Sequence, residues 1–143
     1  MSIEQLFSAS SMLAMLGWLI LLASPLIPRA AQIASGLIIP GLLSILYAAL
    51  ILAFWSRAEG GFDSLAGVMQ LFTFQEAALA GWIHFLAFDL FLGAWEVRTA
   101  RKEGTPFYLV VPCMALTFMF GPIGFLLFLG LRAARLGVTR AAA

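Results

Sequence analysis

The chain has 143 residues, of which 63% are hydrophobic and 10% charged, and its net charge is +1. A soluble domain carries about 25% charged residues, so a fully water-facing surface is excluded, and the Lys and Arg residues are too scattered for a nucleic-acid surface. Cys113 is the only cysteine, which excludes an internal disulfide and the multi-cysteine zinc and iron–sulfur patterns.

These bounds predict an all-α integral membrane protein, a single domain over residues 1–143 built as a four-transmembrane-helix bundle. The first helix is expected over 5–27, with a charge-free centre from Met12 to Ala23 and an end at Pro25 and Pro28, since proline lacks the amide hydrogen and crowds the preceding turn. No Lys or Arg precedes it, so the basic start of a cleaved signal peptide is missing and the helix is expected to be retained. The second helix is expected over 31–55, with a kink at Pro40-Gly41 and with Trp55 and Arg57 at the interface, where amphipathic side chains anchor. The apolar stretch from Leu65 to Phe72 is too short to span and reads as interfacial or re-entrant.

The third helix is expected over 76–97 and the fourth over 106–131, the latter interrupted at Gly121-Pro122. Four crossings place both termini on one side. Arg57, Arg132, Arg135 and Arg140 then share that side, while Arg29, Arg98, Arg101 and Lys102 share the other. The positive-inside rule cannot choose between equal sets, so orientation stays undetermined. Gly17-Trp18 is echoed by Gly81-Trp82, and the Pro40 region by the Pro112 region. Two repeated helical hairpins would explain this, and so would coincidence.

The third helix carries His84 and Asp89, the histidine and aspartate placed inside a span. Facing lipid, an ionisable group costs about 2.5–3.5 kcal/mol at mid-depth, so both should face the interior, a cavity or partners. Five residues separate them, roughly 140° around the helix and about 7.5 Å along it. They therefore cannot pair directly. Asp89 and Glu96 share a face with Trp82 and Phe85, and Glu96 is expected to reach the interface. Matching helix levels predicts a polar core of Tyr47, His84, Asp89 and Thr117, with Gly121-Pro122 level with His84. Interhelical hydrogen bonds could make these residues mere packing glue, worth about 0.6–2 kcal/mol each. An intramembrane ionisable residue is nonetheless a functional candidate by default.

No metal set is evident. A non-haem iron site wants two histidines and a carboxylate, and a helical di-iron site wants paired Glu-x-x-His motifs. No cofactor is required by the sequence, although haem or a metal at His84 is left open. Nucleophilic-serine, phosphate-loop and dinucleotide motifs are absent.

The run from Gly81 to Trp95, GWIHFLAFDLFLGAW, and the later segments Val111-Pro112 and Leu116 to Gly124, LTFMFGPIG, resemble the abscisic-acid-deficient-4-like family. Its plant members are associated with neoxanthin formation. The resemblance is strong from Gly81 to Phe128 and weak over the first two helices. It implies a membrane protein of carotenoid metabolism, acting in cis–trans isomerisation or rearrangement of a polyene. The apolar polyene would enter from the lipid bilayer. His84 and Asp89 would be the catalytic acids, with Tyr47, Trp82, Phe85, Phe88, Trp95, Thr117, Gly121 and Pro122 lining the substrate. Aromatic faces can stabilise a carbocation.

The absence of an organelle-targeting extension points to a compact bacterial homologue in the inner membrane. Two other functions compete. One is a non-catalytic pigment-binding or assembly subunit. The other is a small carrier or proton relay, for which four helices would need a homo-oligomer. Small residues such as Gly81 and Gly93 would permit such close packing.

Overall fold

Capping and proline placement set the first elements. In the computed structural model, which describes the backbone of residues 1–141 and the side chains of residues 1–137, Ser2 caps α1 (Ile3–Leu22). Its hydroxyl accepts from the Gln5 amide at 3.2 Å, and the Gln5 side chain accepts from the Ser2 amide at 2.8 Å. This reciprocal pair satisfies two amides that the helix start leaves free. The helix ends at Leu22, short of the expected Ile27, because the residue before Pro25 is pushed out of helical geometry. Pro28 does not terminate a helix; it opens α2 (Pro28–Ile33), at the first position, where no amide hydrogen is needed.

α2 continues through a π-helical turn (Ala34–Ile38) into α3 (Ile39–Phe54). The Ile39 amide reaches back five residues to the Ala34 carbonyl. Pro40 explains the wide turn: it cannot donate to the Gly36 carbonyl and its ring crowds that position. The irregularity thus appears one turn before the expected kink. Beyond a 3-10 turn (Trp55–Arg57), Ser64 caps the short α4 (Leu65–Leu71) by accepting from the Gly67 amide at 3.0 Å. α5 (Gln75–Lys102) runs five residues past the expected end. Arg101 and Lys102 in its last turn complement the helix dipole, and Gly104 at φ +66° stops it.

α5 is the central helix. α1 lies parallel to it: Trp82 Nε1 donates to Ser11 Oγ at 3.0 Å, Leu90 packs on Gly17, and Arg101 donates to the Ser24 carbonyl at 3.1 Å. α2 and α3 lie antiparallel to α5. Gln32 donates to the Ala94 carbonyl at 3.0 Å and accepts from Arg98 at 3.2 Å, while Tyr47 meets His84 lower down. Ser35 ties the π turn to α1 by donating to the Gly17 carbonyl at 2.7 Å.

The last segment departs from the single interrupted helix expected over 106–131. It forms α6 (Phe107–Phe120) and α7 (Pro122–Ala141), joined by Gly121. A continuous helix would separate residues 103 and 132 by about 43 Å. Instead Arg132 pairs with Glu103, with Nε at 2.9 Å from Oε2, and Arg135 donates to the Gly104 carbonyl at 3.5 Å. α7 therefore folds back along α6 toward the end where α5 stops. Among the described residues, three helical stretches are long and apolar enough to cross a membrane: Ile3–Leu22, Pro28–Arg57 and Gln75–Lys102. α6 is apolar but short. The second half of the chain does not reproduce the first, so the repeat reading finds no support in the architecture. Arg140, counted in the basic tail, has its side chain outside the described residues.

The ion pair at the hairpin base carries a pH dependence. Hydrogen bonding to Arg132 holds the Glu103 carboxyl below the ordinary glutamate range. A carboxyl lowered on folding adds stability above its unfolded value and loses it as pH falls. Both groups meet solvent, so the contribution is small. Spin labels at Lys102 and Leu136 should move apart as the buffer is acidified through that range. Arg132→Gln should give the wider distance already at neutral pH.

Candidate functional site

His84 and Asp89 both stand on α5 but look into different surroundings. His84 faces α3, where its ring lies 5.7 Å from that of Tyr47 and 4.8 Å from that of Phe88. It borders a cavity of about 490 Å³ whose walls include Tyr47 and Trp55 from the second span, Phe62 from the loop, and Phe72 just after α4. The size is typical of small-molecule sites, about 300–1,000 Å³. Folding builds this cavity from local signals: Gly60, at φ +100°, turns the loop back, with the Gly61 amide donating to the Gly67 carbonyl at 3.2 Å. α4 then lies over the acidic end of α5, with Leu71 buried and Phe72 against Gly81. A side chain at Gly81 would strike that Phe72 ring.

Among the described residues His84 makes no hydrogen bond to protein. Its imidazole, with the Tyr47 hydroxyl, is the polar chemistry of an otherwise apolar wall. No carboxylate lines this cavity.

Asp89, at the midpoint of α5, faces α6 and the hairpin tip. It is 9% exposed and its Oδ1 packs against Gly121, with no space for a side chain there. Two turns on, Glu96 is fully buried, and Thr117 donates to its Oε1 at 2.8 Å. The expected interfacial position of Glu96 is thus overturned, because α6 and α7 cover it. The expected register is revised as well: Gly121 meets Asp89 rather than His84, and Thr117 bonds Glu96 rather than Asp89.

The polar residues therefore divide into two groups. Tyr47 and His84 come together on the α3 side, and Asp89, Glu96 and Thr117 on the α6 side. Phe88 borders His84. Trp82 and Phe85 stack at 5.7 Å on the α1 side, where Phe7 also meets Trp82 at 5.6 Å. Trp95 packs on Phe125 and Phe128 of α7, at 5.9 and 5.5 Å. Pro122 is exposed beside the buried Gly121. Trp55, Phe62, Phe72 and Glu96 were not among the expected site residues; Trp55 was expected at the interface and Phe72 in an interfacial segment. The first three depend on where a loop folds; Glu96 had a signal, since it shares its helix face with Asp89.

No group of three or more metal-ligating side chains occurs among the described residues. No curated protein and no solved structure matches the chain. A family defined by sequence does: residues 5–128 match the description ABA DEFICIENT 4-like. That match takes in α1 through the first two turns of α7, so the first two spans, weak in the resemblance, are covered too. The chain belongs to the ABA DEFICIENT 4-like family.

Proposed function

We propose that this chain is a membrane-embedded protein of carotenoid metabolism that takes one end of a polyene into the aromatic cavity and rearranges or isomerises it with His84 as the proton donor. The family supports the pathway, linked to carotenoids and abscisic acid. The observation that carries the site is the His84 imidazole, with ring contacts but no hydrogen bond among the described residues, on the wall of an apolar cavity of about 490 Å³. An intramembrane ionisable group without such a bond marks a functional position.

The chemistry follows from the substrate class. An epoxide oxygen, or a polyene carbon, takes the imidazolium proton. In the first case the C–O bond then breaks, and either way a delocalised carbocation forms. Rotation about the weakened double bond is then easier. Return of a proton from carbon to the imidazole closes the cycle, so no oxidant or reductant is needed. Tyr47, Trp55, Phe62 and Phe72 line the cavity with rings that can stabilise the cation, while Phe88 packs beside His84 outside it. Trp82, Phe85 and Trp95 point elsewhere and have no part in this reading, and Asp89 lies behind His84 on another face.

The membrane arrangement belongs to the same proposal. The single membrane domain crosses three times, and α6–α7 re-enters from the basic end. In a bacterial inner membrane that end faces the cytoplasm. The partners are the lipid bilayer and an apolar polyene.

Reconstituted protein supplied with epoxidised and cis carotenoids should turn over. His84→Ala should lower the rate about 100-fold or more, the usual scale for losing a general acid. Turnover unchanged by His84→Ala would refute the role. The apolar character of the remaining wall favours a second reading, a binding subunit. Extraction of an unaltered carotenoid in one-to-one ratio, with no turnover, would select it.

A further inference from the structure

Asp89 and Glu96 are the least explained side chains in the molecule. Both are more than nine-tenths buried, and Asp89 Oδ2 and Glu96 Oε2 have no hydrogen-bond partner. Asp89 makes no hydrogen bond among the described residues. The two stand seven positions apart, about 10.5 Å along α5 and about 20° around it. They therefore form one carboxyl-bearing strip under the α6–α7 hairpin. Arg98, two residues from Glu96, donates to Gln32 on another face, and Arg132 is committed to Glu103. α6 contributes Thr117 and, one turn away, the thiol of Cys113; α1 contributes the indole of Trp18; α7 contributes Phe125 and Phe128. His84 lies on the α3 side.

An isolated buried carboxylate is among the most costly groups a protein can hold, more so inside a bilayer. A carboxylic acid is far cheaper, since its O–H can serve as a donor. We propose that Asp89 and Glu96 form an intramembrane proton-binding site, closed by the hairpin tip. Glu96 is the ordered half, fixed by Thr117. Asp89 is the exchangeable half, touching the tip at Gly121 and tied to nothing. Movement of α6–α7 away from α5 opens it. This site lies apart from the His84 cavity and stands or falls independently of the proposed carotenoid chemistry.

Infrared spectroscopy of the full chain in liposomes tests it. The aspartates of the chain are Asp63 and Asp89, and Asp63 lies in an exposed loop. Carbon-13 aspartate therefore isolates the buried group without mutation. At neutral pH a protonated-carboxyl stretching band is expected. Part of it should shift with the label, and a separate part should vanish in Glu96→Gln. A spectrum with carboxylate bands alone, or a protonated band that ignores both the label and the substitution, overturns the proposal. Loss of the band on adding sodium chloride at constant pH also overturns it, since the site would then hold a metal cation.

Discussion

Reporters fused to the two ends of the chain are expected on opposite faces of the membrane, the C-terminal one in the cytoplasm. Among the described residues α1, the α2–α3 stretch and α5 are long and apolar enough to cross, and the Arg132–Glu103 contact returns α7 to the side where α5 ends. An odd number of crossings separates the termini. The charges then stop balancing. Among the described residues, Arg29, Arg98, Arg101, Lys102, Arg132 and Arg135 gather at one end, and Arg57 stands at the other. Glu4, Glu59, Asp63 and Glu76 occupy that second end. The positive-inside rule, undecided for four crossings, becomes six against one for three. Membrane-impermeant labelling of single cysteines at Ser2 and Gly137, in a Cys113→Ala background, gives the answer. Labelling of both from the same side would restore a fourth crossing and remove the re-entrant hairpin.

Substituting valine for Gly124 is expected to unseat that hairpin. A Cβ at Gly124 would overlap the Thr117 amide nitrogen and hydroxyl, and the obstacle is largely backbone, which cannot swing aside. Overpacking of this kind costs about 1–3 kcal/mol. The Thr117–Glu96 hydrogen bond would go with it, adding about 0.6–2 kcal/mol on membrane scales and leaving Glu96 without a donor. Gly130 and Gly41 have nothing within 4 Å of the same built position, so alanine there should be neutral or stabilise by up to about 1 kcal/mol. Thermal unfolding in detergent compares the set. A Gly124→Val protein as stable as Gly130→Ala would mean that the α6–α7 contact is not formed. Gly121→Val should behave like Gly124→Val, through its collision with the Asp89 carboxyl.

Much of this was legible in residues alone. Apolar content and helix length marked the membrane and the all-helical class. The parallel course of α1 and α5 followed from alternating crossings, and so did the meeting of Tyr47 with His84. Helical spacing alone required His84 and Asp89 to look in different directions, and the structure places them so. The motif from Gly81 to Trp95 led to the family whose match covers residues 5–128.

Three things needed the tertiary structure. Hydropathy scores a straight apolar helix and a folded-back pair alike, so Gly121-Pro122 marked a break without its angle. Glu96 was placed at the interface from its distance to the helix end, yet burial depends on what packs over a residue, and α6–α7 supplies that cover. The cavity at His84 is open on one side and has Phe62 and Phe72 among its walls, and only a folded loop brings them there. Sequence by itself determined the apolar, all-helical character of this protein and the helix that carries His84 and Asp89, because composition and helical spacing are local properties. The fold-back of the last helices, the burial of Glu96 and what each of His84 and Asp89 meets were decided by contacts between distant segments, and no local pattern encodes those.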